Sequence, residues 1–212
     1  MPAPGPGGAW IDDFEGNKLD SKWISSRHSD GGQNDGVWTR RIKDSKVYWN
    51  GVNTGTENNY WGEILSLPVN APGDISIEAL IRMKRTDGVY GSIGVGFNHA
   101  NANAILKYGG VLFINASSPG YVAGENNTTL TPFPGFPSQL FQGSLGADII
   151  MKIRVIRKNN YAFIYMGNLY VGQYAYANTI TTVDIVNYWY FPLCNNERWV
   201  DYISVWPREC VK

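Results

Sequence analysis

The chain has 212 residues, a hydrophobic fraction of 43% and a charged fraction of only 17%, with Lys plus Arg and Asp plus Glu both at 18. This balance excludes the basic surplus that draws a protein to nucleic acid or an acidic membrane, and no apolar run reaches the roughly 20 residues of a membrane span. The length suits one all-β sandwich with a single core, and the many Asn, Gly, Thr and Ser residues give a neutral polar surface, better suited to sugars than to polyanions.

Residues 1–9 hold three prolines and three glycines and have neither the charged start nor the apolar stretch of a signal peptide, so they read as a flexible arm, with 10–212 as one domain. Short strand-like runs follow at 37–42, 46–50 and 61–67, spaced by Gly, Asn or Pro turns. From Asp74 strict alternation sets Ile75, Ile77, Ala79, Ile81 and Met83 on one face, with Asp74, Ser76, Glu78, Arg82 and Lys84 on the other. Runs at 92–97, 105–108 and 111–115 continue the pattern. The stretch 116–146 breaks it with Pro- and Asn-rich sequence and reads as a long rim loop, the kind that is usually functional. It adjoins or contains three N-glycosylation sequons, at Asn115, Asn126 and Asn127, which act only in a secretory or archaeal setting.

A second alternating strand starts at Met151. It is followed by an Asn159-Asn160 turn, a strand over 162–166, a Gly167-Asn168 turn and a strand from Leu169, which together predict a meander. Runs at 184–190 and 199–206 close the chain. A dozen short strands with no helical pattern indicate a sandwich or barrel. The two cysteines, Cys194 and Cys210, flank the last run. Eight extended residues cover about 26 Å, so an internal bridge requires nearly taut flanks, and free thiols are as compatible as a disulfide, ahead of a link from Cys210 to another chain.

The two ends carry a resemblance. Asp13-Phe-Glu-Gly-Asn-Lys-Leu-Asp-Ser-Lys-Trp23 is similar to the opening of many concanavalin A-like lectin/glucanase domains, and Trp199-Val-Asp-Tyr-Ile-Ser-Val-Trp206 resembles the last strand of laminarinase-type members. The Arg157-Lys-Asn-Asn-Tyr161 meander is similar to a hairpin of laminin G-like domains. The resemblance implies an all-β jelly-roll sandwich of two antiparallel sheets with its terminal strands close together. It does not settle function, because this fold hosts hydrolases, lyases, lectins and adhesion modules.

Glycosidases of the resembling type carry Glu-x-Asp-x-x-Glu on a concave central strand, since a retaining mechanism needs two carboxyls about 5–5.5 Å apart. That motif is absent. Asp13 and Glu15 are the only carboxylates spaced as alternate strand residues, and they lie in the N-terminal segment, where a solvated edge or a cation site explains them better than acid–base work. Asp74 and Glu78 are roughly 13 Å apart along a strand, too far for the chemistry; Glu78 is expected to pair with Arg82 or a cross-strand cation. Glu57 and Glu63 would need the fold to bring them to a cleft.

His28 and His99 lack the clustered partners of a zinc site. His99 with Tyr108 or Lys107 is the one hint of lyase chemistry. In laminarinase-type relatives an Asp of the final strand helps hold a structural Ca2+, which the resemblance places at Asp201, with Asp13 or Asp12 adding oxygen; the alternative is that Asp201 pairs at the sheet edge.

Aromatic residues make up 14% of the chain, and sugar rings stack their C–H faces on such side chains. About half must be core, because neighbours such as Tyr48-Trp49 and Tyr60-Trp61 point opposite ways. With Val47 and Ile64 as register guides, Trp49, Trp61 and Trp189 are the expected exposed ligand-binding residues, and Asn98 and His99 the polar ones. The reading is a non-catalytic carbohydrate-binding module at an extracellular, cell or virion surface, binding a glycan or polysaccharide. Its alternatives are a self-assembling structural ectodomain that forms a homo-oligomer, and a hydrolase or lyase with an atypical site.

Overall fold

The computed structural model describes residues 10–29, 37–52, 60–71, 74–84, 90–98, 111–115, 121–123, 131–132, 148–177, 179–190 and 195–207. Every regular element among them is a strand. The strands are β1 (Trp10–Asp12), β2 (Ile24–Ser29), β3 (Val37–Lys43), β4 (Lys46–Val52), β5 (Tyr60–Ala71), β6 (Ile75–Lys84), β7 (Tyr90–Phe97), β8 (Val111–Asn115), β9 (Tyr121–Ala123), β10 (Thr131–Pro132), β11 (Asp148–Lys158), β12 (Tyr161–Met166), β13 (Leu169–Ala175), β14 (Ile180–Tyr190) and β15 (Asn195–Pro207).

They form two antiparallel sheets. Sheet A has the order β13-β12-β11-β6-β15-β4-β3, and sheet B the order β10-β9-β8-β7-β14-β5-β2. Strands β4 to β7 alternate between the sheets, so each connection passes from one layer to the other and brings non-consecutive strands together. The short β1 joins sheet A beside β15, pairing Asp12 with Ile203, while β4 pairs further back along β15 and ends with Val47 opposite Val200. Strands β1 and β4 thus lie end to end along one side of β15, next to a register shift between Val200 and Tyr202. The terminal strands meet as the resemblance implied.

Alternation explains the core. Ile75, Ile77, Ala79 and Ile81 of β6, Ile153 and Val155 of β11, Ala162, Ile164 and Met166 of β12, and Val200, Ile203 and Val205 of β15 turn inward to meet Leu65, Ile93, Val95, Phe97, Val183 and Ile185 from sheet B. Each such Val, Leu, Ile, Met or Phe side chain contributes about 1.5–3 kcal/mol by leaving water. Tight turns fix the hairpin registers. Asp44 and Ser45 both have positive φ (52° and 54°), as do Asn159 and Asn160 (50° and 62°), which is the backbone a two-residue hairpin of matching twist requires.

Several expectations need correction. Strands β1, β2, β9 and β10 were not legible: β2 reads Ile-Ser-Ser-Arg-His-Ser, without a hydrophobic alternation, and lies at the edge of sheet B. The stretch 116–146 is not wholly loop, since β9 and β10 fall within it and pair with each other. The run 105–108, His99, Asn126, Asn127, Glu57, Cys194 and Cys210 lie outside the described residues.

Candidate functional site

The first feature to place is Trp49, expected on the surface. It is instead fully buried. Its position on β4 alternates with Tyr48, and Val47, taken as a register guide, also faces inward, so the side chain enters the space between the sheets. There its indole nitrogen donates to Glu63 Oε2 of sheet B at 2.7 Å. Arg40, Trp49 and Arg198 are consecutive cross-strand neighbours on β3, β4 and β15, and Glu63 and Asn187 are register partners on sheet B. The two rows meet: Arg40 Nη1 lies 3.2 Å from Glu63 Oε1, Ser25 Oγ donates to the same oxygen, and Arg198 Nη1 donates to Asn187 Oδ1 at 3.1 Å. This end of the sandwich is joined by a buried polar layer. Glu63 therefore braces the interior and does not reach a cleft.

Trp61 and Trp189 stand directly opposite each other on β5 and β14; their side chains lie outside the described residues. Asn98, expected to contact ligand, is spent inside the protein. Its amide nitrogen donates to Tyr176 Oη at 2.7 Å and to the Thr179 carbonyl at 2.8 Å, while its oxygen accepts from Thr181 N, Thr181 Oγ1 and Thr182 N. With φ at 57°, Asn98 ends β7 and fastens it to the start of β14. An asparagine suits this place because it tolerates the left-handed region and bonds backbone locally.

Carboxylate chemistry can be followed side chain by side chain. On sheet B, Glu63 faces inward and Asp184 lies on the opposite face of its strand between the core residues Val183 and Ile185; Asp184 is also buried and accepts from Thr182 Oγ1 at 3.0 Å. On the outer face of sheet A, Glu78 accepts from Tyr202 Oη at 2.7 Å and pairs with Lys152 at 3.3 Å, the cross-strand cation expected for it. Burial and the Glu78 carboxylate push the Tyr202 hydroxyl well above the usual phenol range. Asp201 pairs with Lys46 at 3.3 Å. Glu63, Asp184, Glu78 and Asp201 are thus each engaged by a partner within the protein, the side chains of Asp148 and Glu197 lie outside the described residues, and Asp13 and Glu15 are exposed in the N-terminal segment.

The calcium expectation meets the same geometry. Asp12 is paired with the core residue Ile203 and points inward, where Oδ2 accepts from Trp23 Nε1 at 2.7 Å and lies 3.0 Å from Lys22 Nζ, and Oδ1 accepts from Phe14 N at 2.8 Å. Asp201, in the irregular stretch of β15, is partly exposed and faces Lys46. Asp12 and Asp201 therefore point to different sides of β15, and each already has an ammonium as its cation. No group of three or more acidic, His or Cys side chains converges among the described residues. The carboxylates of Asp12 and Asp201 thus do not converge on one point, and Asp13, the other expected ligand, is exposed.

The sequence reading missed one exposed feature. On the outer face of the β11–β12–β13 meander, Tyr161, Phe163 and Tyr165 alternate with buried Ala162 and Ile164, and Tyr170 of β13 sits beside Tyr165. The Tyr165 and Tyr170 ring centroids are 5.5 Å apart, and those of Tyr161 and Phe163 are 6.5 Å apart. Tyr161 and Tyr170 are each 45% exposed. The signal in the sequence is an aromatic residue at every second position of 161–165.

Solved structures share this arrangement. A structure from work on endo-acting O-glycanases of the human gut microbiota matches at TM-score 0.62 and 14% identity, covering 92% of this chain and 97% of that one. The fold is a concanavalin A-like jelly roll. The Emp47p carbohydrate recognition domain matches at TM-score 0.58 and 11% identity, covering 95% and 96% of the two chains. A beta-1,3-glucanase from Mycobacterium marinum matches at 0.57 and 14%, covering 93% and 97%. No sequence-family description and no curated protein sequence matches the chain.

Proposed function

We infer that this jelly roll is a non-catalytic carbohydrate-recognition module. The observation that carries the reading is the commitment of the strand carboxylates whose side chains are described: Glu63 to Trp49 and Arg40, Asp184 to Thr182, Glu78 to Tyr202 and Lys152, Asp201 to Lys46, and Asp12 to Trp23 and Lys22. A glycosidase needs one carboxyl free to protonate the leaving oxygen and a second free to attack or to activate water. The neighbours in fold include both a carbohydrate recognition domain and glucanases, so a sugar ligand suits the architecture and the carboxylates favour binding over cleavage. A module of this kind belongs on an extracellular, cell or virion surface.

The test is a paired screen of the full chain: immobilised glycans and polysaccharides for saturable binding, and the same polysaccharides for release of reducing ends. Binding without new reducing ends supports the reading. Release of reducing ends from a β-glucan or a mucin-type glycan would overturn it.

A further inference from the structure

The chain as a whole is charge-balanced, but the aromatic face of the meander is not. Strands β12 and β13, Tyr161–Met166 and Leu169–Ala175, contain no charged residue, and the outward positions of β11 beside them carry Lys152, Arg154 and Lys158. Among the described side chains, the carboxylates bordering this group are Glu78, cross-strand from Arg154 and occupied by Tyr202 and Lys152, and Asp74, which pairs with Arg157 and accepts from Asn159 N. Both are engaged, and the side chain of Asp148 lies outside the described residues.

The guanidinium of Arg154 lies over the Tyr165 ring at 4.7 Å from its centroid, and no carboxylate pairs with it among the described residues. Contact with the aromatic ring restricts the guanidinium and shields part of it from water. One cross-strand row thus runs from Glu78 through Arg154 and Tyr165 to Tyr170. Lys158 pairs with Tyr161 in register at the next aromatic position. Lys152 is 47% exposed at its side chain. Tyr170 Oη donates to Gln173 Oε1 at 3.3 Å.

We propose that this outer face of the β11–β12–β13 meander is the glycan-binding surface, and that it takes an anionic polysaccharide whose pyranose rings bear carboxylate or sulfate groups. This rests on the carbohydrate-recognition reading and names its ligand class. Aromatic side chains at alternate positions of β12, Tyr161, Phe163 and Tyr165, recur roughly every 6–7 Å, a spacing on the scale of successive sugar rings. The neighbouring guanidinium matches a carboxylate or sulfate with two parallel N–H donors. Exposed ion pairs alone are weak and easily screened, so the stacking residues supply the specificity and the cations select for charge.

The test uses the full chain in titrations with polygalacturonate, dextran sulfate and uncharged dextran. One or both anionic polymers bind at least about tenfold tighter than dextran, and binding weakens as salt rises from about 50 to 300 mM. Which polymer binds identifies the anionic group. Arg154→Gln lowers the affinity. Tyr161→Ser and Tyr170→Ser lower it as well while leaving net charge unchanged, which separates a built surface from non-specific polyelectrolyte adhesion; a thermal melt of each variant checks that it is folded. Equal binding of dextran, binding indifferent to Tyr161→Ser and Tyr170→Ser, or burial of this face by self-association of the chain would each overturn the proposal while leaving carbohydrate recognition standing. Loss of all polysaccharide binding in the unmodified chain would overturn both.

Discussion

The indole nitrogen of Trp49 on sheet A and the carboxylate of Glu63 on sheet B are joined by a 2.7 Å hydrogen bond through the interior of the sandwich. Glu63 Oε1 also faces Arg40, so one carboxylate ties β3, β4 and β5 across both layers. Removing it leaves a buried indole N–H without its acceptor and the Arg40 guanidinium without its counter-charge. Glu63→Ala is therefore expected to destabilise by about 3–5 kcal/mol, and Trp49→Phe, which loses one bond and little volume, by about 1.5–3 kcal/mol. Urea midpoints for both check this. A Glu63→Ala protein as stable as the parent would contradict the bracing role.

Asn98 separates a structural from a ligand-contacting amide. Asn98→Ala loses every bond its amide makes to Tyr176, Thr179, Thr181 and Thr182 and adds strain at positive φ. The expected loss is at least about 2 kcal/mol, with Asn98→Gly milder by about 1 kcal/mol because glycine accepts that φ. Polysaccharide affinity of the folded protein should not change. A fall in affinity at unaltered stability would return Asn98 to the binding surface.

At the junction of β1 and β4, lysines are the cations that balance Asp12 and Asp201. A chelator should leave the melting temperature unchanged. Lys22→Met, which removes the ammonium 3.0 Å from the buried Asp12 carboxylate, should lower it. Differential scanning calorimetry with and without chelator, repeated with added calcium, decides the matter, and a chelator-induced fall would restore the metal.

Tyr202 gives a pH dependence of definite sign. Its hydroxyl, half-buried and donating to Glu78, ionises above the ordinary phenol value, so at alkaline pH the unfolded chain loses its proton first. The stability it contributes is fully present below about pH 10 and is lost as pH rises from there towards the folded value. Tyr202→Phe should abolish that part of the alkaline decline and cost about 1 kcal/mol at neutral pH through the lost bond. Urea melts between about pH 7 and 11 for the two proteins measure the difference.

The N-terminal resemblance has a physical basis in the structure. Phe14 and Trp23 pack at 6.1 Å between centroids, Asp12 bonds to Trp23 Nε1 and Phe14 N, and Asp20 makes the turn by accepting from Lys22 N at 2.9 Å. That backbone bond, with the Lys22 charge, holds the Asp20 carboxyl below its ordinary range. Residues noticed for a likeness to lectins and glucanases thus turn out to seal one end of the core, which is why they report fold and say little about ligand.

What the sequence determined by itself is local. Period-two alternation set the inward faces of β6, β11 and β12, paired asparagines set the β11–β12 turn, and the two chain ends announced the jelly roll, because each depends on residues near one another in the chain. What lay across the sheets was decided only by tertiary structure. Trp49 went inside because a carboxylate on another strand could satisfy its indole; Asn98 was consumed by a strand some eighty residues away; Asp12 and Asp201 were parted by the register of β15. The open face of Tyr161 and Tyr170 emerged for the same reason. Alternation shows which residues share a side of a strand, but only the packing of the second sheet decides which side water sees.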